Sequence, residues 1–184
     1  MDSFTIEKAH PTDVHQLIDF LNTIGGETDY LTFGLNDFPI SAEEEVVLIN
    51  DCLKNNTSLI LVGKTNNKII SQLYLEVSTQ PRLAHIGHLG LSVSKAYWGK
   101  SVGTKMLAEA INWAKNKQLA KLQLQVRTDN MNAIHLYKKF AFSIEGTVTN
   151  SLRINNSDYD EFLMGLKLIK HQEDRNGYRE NRIK

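Results

Sequence analysis

The chain has one cysteine, Cys52, so no internal disulfide forms and no thiolate metal cluster is available. Such a chain suits a reducing compartment, and a cytoplasmic protein is the expectation. An excess of either charge is also missing: Lys plus Arg and Asp plus Glu each number 21. Nucleic acid or an anionic membrane as main partner needs a basic excess, so neither is expected. No window approaches the ~20 apolar residues of a membrane-spanning helix. The start, Met1 to Ile6, lacks the basic stretch and apolar run of a signal peptide. Repeats and low-complexity linkers are absent. No histidine pair has zincin spacing and the acids show no ligand pattern, so no metal is expected.

What remains has ordinary globular composition, with 184 residues, 41% hydrophobic and 23% charged. That length suits one domain able to bury a core without staples. The domain is expected over residues 1–170. The tail from His171 to Lys184 has almost no apolar residues and is expected to be mobile.

Periodicity divides the domain. Phe4 to Ala9 alternates as a short strand, and Pro11-Thr12-Asp13 opens a helix with Val14, Leu17, Ile18 and Leu21 on one face. Gly25-Gly26 ends it, and Glu27 to Pro39 reads as a loop or broken helix. Ser41 with Glu44 forms a capping-box pattern, opening a helix whose apolar set is Val46, Val47, Ile49 and Leu53. Strands follow at Ser58–Lys64, Lys68–Ser78 and Ala84–Ser94, the first two joined by the hairpin signal Asn66-Asn67. Gly99 to Lys117 is helical, with Val102, Met106, Leu107, Ala110, Ile111 and Trp113 apolar. Lys121–Arg127 is a half-buried strand and Met131–Lys139 a short helix. Phe142–Thr149 and Tyr159–Leu168 are the last strands, separated by Asn155-Asn156-Ser157. This order implies an α/β fold: a mixed, mostly antiparallel sheet of about seven strands with helices on both faces.

Two segments carry chemistry. From Leu91 the chain reads Leu-Ser-Val-Ser-Lys-Ala-Tyr-Trp-Gly-Lys-Ser-Val-Gly-Thr, ending at Thr104. A strand leads through a glycine-containing turn into a helix whose first amides are unpaired and carry partial positive charge. That is a cradle for a phosphate, approached closely at Gly99 and Gly103. Neither the dinucleotide fingerprint nor the Walker pattern is met. By itself this loop reads first as a plain strand-to-helix turn.

The second segment, Val126 to Phe142, reads Val-Arg-Thr-Asp-Asn-Met-Asn-Ala-Ile-His-Leu-Tyr-Lys-Lys-Phe-Ala-Phe. Together the two resemble the GNAT superfamily of N-acetyltransferases. That family carries a Gln/Arg-x-x-Gly-x-Gly/Ala loop, then Val-x-x-x-Asn-x-x-Ala-Ile-x-Leu-Tyr-x-x-x-Gly-Phe. The second motif is nearly entire, with Ala141 in place of Gly. In the first, Gly103 is present, Trp98 stands for Gln/Arg and Ser101 for the first Gly. The resemblance runs from about Thr5 to Leu168.

The resemblance implies an acetyltransferase with acetyl-CoA as acyl donor. It gives Leu91, Ser92 and Val93 main-chain contacts to the pantetheine. It places the pyrophosphate on the loop Trp98, Gly99, Lys100, Ser101, Val102, Gly103 and Thr104; the Trp98 N–H would still serve, and the Ser101 hydroxyl would add a donor if its φ is negative. Asn130, with Ala133, would bind the cofactor arm. Tyr137 would aim its hydroxyl at the thioester sulfur as general acid, against the plainer reading of a packed helix tyrosine. Relatives often carry Glu where His88 stands, and an imidazole titrates near neutral pH, so His88 is the candidate base. An ordinary strand histidine is the equal alternative.

Look-alikes wall the acceptor site with the N-terminal helices and their connecting loop. Glu27, and less so Asp29, would hold a cation, with Tyr30 and Phe33 as walls. The loop suits a small polar primary amine, such as a free amino acid or a polyamine. A protein N-terminus or lysine is the alternative acceptor, and a non-catalytic acyl-CoA sensor the alternative activity. Many relatives are dimers, so a homodimer stays open.

Overall fold

The computed structural model describes residues 4–168. Seven strands form one sheet: β1 (Phe4–Lys8), β2 (Leu59–Thr65), β3 (Lys68–Val77), β4 (Ile86–Val93), β5 (Lys121–Arg127), β6 (Ser143–Ile154) and β7 (Ser157–Lys167). Four α-helices cover it: α1 (Val14–Gly25), α2 (Ala42–Asn55), α3 (Val102–Asn116) and α4 (Met131–Lys139). The strand order is β1-β2-β3-β4-β5-β7-β6, and only the β4–β5 pair is parallel. The expected fold class and element order hold.

Strand alternation makes two cores. Ile60, Val62 and Ile69 face one side, with Leu17, Leu21 and Ile24 of α1 and Ile49 of α2. Leu59, Leu61, Leu73 and Leu75 face the other, with Met106, Leu107 and Ala110 of α3. β2 is therefore buried on both faces, which its run Leu59-Ile60-Leu61-Val62 requires.

Both hairpin turns are Asn-Asn. Asn66 and Asn67 have φ of 48° and 62°, and Asn155 and Asn156 repeat those values. Positive φ at both central residues is the two-residue turn whose twist matches the strands it joins. β6 runs past the expected Thr149 to Ile154, and β7 starts at Ser157 rather than Tyr159. The polar residues there, such as Thr149, Ser151 and Arg153, lie on a solvated hairpin, which a search for buried alternation overlooks.

The buried face of α2 also departs from expectation. Its capping box forms: Ser41 Oγ accepts from Glu44 N at 3.2 Å, and Ser41 N donates to Glu44 Oε2 at 2.9 Å. The residues facing the sheet are Glu45, Ile49 and Cys52, spaced as one helical stripe. Val47 is 68% exposed and Leu53 39%. A glutamate in the stripe displaced the hydrophobic reading of this helix by one position.

The site is made by a break in the sheet. β4 and β5 pair at Ile86–Lys121, Gly87–Leu122 and His88–Gln123, and no further. Beyond His88, β4 stays on β3 while β5 stays on β7, so a gap opens between parallel neighbours. The tail beyond Leu168 lies outside the described residues. Among them, no helix is long and apolar enough to cross a membrane.

Candidate active site

The gap is the floor of a cleft of about 1330 Å³ that reaches from α2 to the first turns of α3 and α4. Its cofactor-facing rim begins on β4. Ser94 N donates to Ile70 O at 2.9 Å across the β3–β4 ladder. In an antiparallel ladder such pairs alternate, so the main chains of Ser92 and Gly90 also point at β3. Those of Leu89, Leu91 and Val93 point into the gap. Leu91 thus offers a free N–H and C=O to an extended ligand. The Val93 carbonyl already accepts from Trp98 Nε1 at 2.7 Å. The expected main-chain contact from Ser92 is corrected: its amide and carbonyl face β3, and its side chain lines the cleft.

A single turn of 3-10 helix, Lys95–Tyr97, follows and leads to the head of α3. Its hydrogen bonds show which amides remain free. Trp98 N donates to Lys95 O at 3.2 Å and Lys100 N to Tyr97 O at 3.4 Å. The expectation that the Trp98 N–H serves a phosphate is therefore corrected. Lys105 N closes the first helical bond onto Ser101 O at 3.1 Å. The amides of Gly99, Ser101, Val102, Gly103 and Thr104 have no main-chain partner among the described residues. They form an anion cradle at a helix N-terminus. Gly99-Lys100-Ser101 also matches the last three positions of the Walker loop, but Ser94 stands where that loop's first glycine belongs. The Lys100 ammonium lies 5.1 Å from the centre of the Tyr97 ring.

Ser101 has φ of 62°, in the left-handed region, where the condition set for its hydroxyl fails. It stands where the family carries glycine, and a Cβ there costs about 1–2 kcal/mol. Ala141, after α4, repeats the case with φ of 65°. Ser101→Gly is expected to stabilise the protein by about 1 kcal/mol after glycine's extra chain entropy is charged. That corresponds to a melting point higher by about 2–4 °C, read by calorimetry.

Asn130 caps α4, its Oδ1 accepting from Ala133 N at 3.2 Å. The cap fixes the carboxamide at the cleft, with its Nδ2 donor left over. Two turns on, Tyr137 is 6% exposed and its ring packs 5.8 Å from that of Phe142. Its hydroxyl has no hydrogen-bond partner among the described residues. Burial pushes its pKa up to about 12. His88 is exposed, lines the cleft and stands opposite Glu76 on β3 and Gln123 on β5. His85 precedes β4 and His135 is exposed on α4.

The acceptor loop between α1 and α2 is placed by Arg127, at the end of β5. Arg127 is 5% exposed and binds Asp129 twice, Nε to Oδ1 at 3.0 Å and Nη2 to Oδ2 at 2.6 Å. Its Nη1 donates to Asp29 O at 2.8 Å. The guanidinium lies 3.6 Å from the Tyr159 ring centre and 5.0 Å from that of Tyr30. Tyr30 and Phe33 line the cleft; Phe33 meets Phe38 edge-on at 5.1 Å. Glu27 does not line it. Its carboxylate accepts from Ser94 Oγ at 3.2 Å and from Lys95 N at 2.6 Å, so it braces the turn ahead of the cradle instead of holding a substrate cation. Arg127 and Glu45, missed in the sequence, each carried a faint signal: an Arg-x-Asp pair opening the second motif, and an acid inside an apolar stripe.

An anion cradle on α3, an open strand edge beside it and a buried tyrosine across the gap share one cleft. Comparison with known proteins names the class. The profile of the Acetyltransferase (GNAT) family matches residues 27–142, and the chain belongs to that family.

The L-amino acid N-acetyltransferase AaaT of Escherichia coli is 29% identical over 56% of this chain and 65% of its own length. The streptothricin acetyltransferase A of Bacillus subtilis is 40% identical over 35% of this chain and 37% of its own. The chain thus spans less than two thirds of the curated relatives it matches here. Among solved structures, a GNAT-family acetyltransferase from Streptococcus pneumoniae is 32% identical with a TM-score of 0.86, covering 90% of this chain and 99% of that one. The Salmonella typhimurium protein yncA, solved with acetyl-CoA, is 17% identical with a TM-score of 0.81 and shares the fold; the match covers 93% of this chain and 97% of that one.

Proposed function

We propose that this protein transfers the acetyl group of acetyl-CoA to a primary amine of a small polar molecule, by direct attack of the amine on the thioester. The observation that carries the reading is the juxtaposition at the gap: free amides from Ser101 to Thr104, the open edge of β4 at Leu91, and the Tyr137 hydroxyl in the same cleft. The residues fit the donor. The amides suit its diphosphate, the Leu91 edge suits the two amides of its pantetheine arm, and Asn130 lines the same cleft. When bound, acetyl-CoA supplies an activated acyl carbon and a thiolate leaving group.

The protein's own groups manage protons. An ammonium has no lone pair, and a free α-amine has a pKa of about 8 and a lysine-type amine about 10.4. His88 takes that proton, directly or through a water. The neutral amine then forms the C–N bond as the C–S bond breaks. Tyr137 meets the sulfur as negative charge develops there. The small-molecule acceptor is supported by the walls Tyr30 and Phe33 lend the cleft, and by relatives named for an L-amino acid and for streptothricin.

Thiol release from acetyl-CoA across amino acids, polyamines and short peptides tests the reading. Binding without release from any amine would make the protein a sensor. For His88 the expected result is a pH–rate profile whose acid limb flattens in His88→Ala. An unaltered limb removes His88 as base.

A further inference from the structure

Glu45 has no role in the chemistry above. It lies on α2, which packs on β2, and is 2% exposed, yet its side chain lines the cleft. Among the described residues it has no hydrogen-bond or ion-pair partner. Burial raises its pKa, as expected for a charge without compensation. Tyr74 and Glu76, on β3, line the cleft beside it, and Tyr74 feels the charge of both acids. Glu161 adds a carboxylate from β7, held by Ser151 Oγ at 2.5 Å. Arg127, which also lines the cleft, is neutralised by Asp129. The acceptor half of the cleft is therefore anionic, and its most buried acid is uncompensated.

Sheet order fixes how far Glu45 stands from the reaction. Tyr74 pairs with Ile60 on β2 and Gly90 on β4. Neighbouring strands lie about 4.8 Å apart, so Glu45 above β2 and β3 is roughly 5–10 Å from the β4–β5 gap. An amine attacking at the gap does not reach it, but a second positive group several carbons away does.

Resting on the acetyltransferase reading, we propose that Glu45 anchors the non-reacting ammonium of a diamine or polyamine, and so sets the acceptor class. One ammonium is held at α2 while the other, deprotonated, faces the thioester. A free amino acid without a side-chain amine would instead bring a carboxylate toward Glu45, Glu76 and Glu161.

Three four-carbon acceptors decide the matter: 1,4-diaminobutane, butylamine and 4-aminobutanoate, assayed by thiol release with saturating acetyl-CoA. The expected kcat/KM falls in that order, with the diamine ahead of butylamine by about 10²-fold, the size of one buried charged contact. In Glu45→Gln that ratio collapses toward about 1, while in Glu45→Asp, which keeps the charge, most of it survives. Titration calorimetry with acetyl-CoA, expected to give one affinity for all three proteins, reports that the variants fold. Equal turnover of the three acceptors, or a diamine preference that persists in Glu45→Gln, overturns the assignment of Glu45 but leaves the transferase intact. Absence of thiol release from all amines, with acetyl-CoA bound, overturns the transferase reading and this one together.

Discussion

Tyr137→Phe is expected to lower kcat by about 10²-fold or more with little change in acetyl-CoA affinity. The substitution removes one oxygen and keeps the ring on Phe142, 5.8 Å away. The lost hydroxyl has no protein partner among the described residues, so no buried group is orphaned and the melting point should hold or rise slightly. With its pKa pushed up to about 12, the hydroxyl stays protonated at any working pH and adds no limb of its own to the pH profile. It is also a weaker acid than an ordinary thiol, with a pKa of about 8.5. Full transfer of its proton to the leaving sulfur is therefore uphill. In the proposed mechanism the hydroxyl would therefore act as a hydrogen-bond donor to the developing thiolate, with the amine's own proton ending on the thiol. Single-turnover thiol release beside calorimetric titration separates the two effects. A kcat equal to wild type would make Tyr137 a packed helix residue.

Much of this site was legible because its parts are local. Asn130 ahead of α4, the tyrosine two turns on and the turn ahead of α3 each lie in short runs of sequence that carry the family's motifs. What the sequence hid is what distant segments do to one another. Glu27 was read as a substrate ligand because it lies on the loop that walls the acceptor site in look-alikes. Its true partners, Ser94 Oγ and Lys95 N, lie 67 and 68 residues away. Arg127 was passed over as a strand end, and its bond to Asp29 O spans 98 residues. The resemblance gave Ser92 a main-chain contact along with its neighbours Leu91 and Val93, but strand main chains alternate, and which parity faces the gap depends on the β3–β4 register. Glu45 was hidden for a different reason. Hydrophobic periodicity assigns acids to the surface, and a binding site is where that rule gives way.

Gly25→Ala should separate the two halves of the cleft. The expected result is a loss of about 10²-fold in kcat/KM for the amine, with acetyl-CoA affinity intact. Gly25 is buried at the end of α1, and its φ is not in the left-handed region, so space and not chain conformation requires glycine. A Cβ there would lie 2.0 Å from Gly34 O and 2.5 Å from Gly34 C, both main chain. Ordinary contact begins near 3.4 Å, so the loop must retreat by more than about 1 Å. Its anchors resist. Asn36 N holds Asn22 O at 3.2 Å, Phe38 N holds Asn22 Oδ1 at 3.1 Å, and Arg127 holds Asp29 O. The strain costs about 1–3 kcal/mol of stability and moves Tyr30 and Phe33, the acceptor walls. Gly26→Ala is the control. Its Cβ would meet Leu35 at 2.9 Å, but through the side chain of a residue 63% exposed, which can swing away. Equal effects of the two alanines on amine kinetics would mean that the Gly34 loop does not shape the acceptor site.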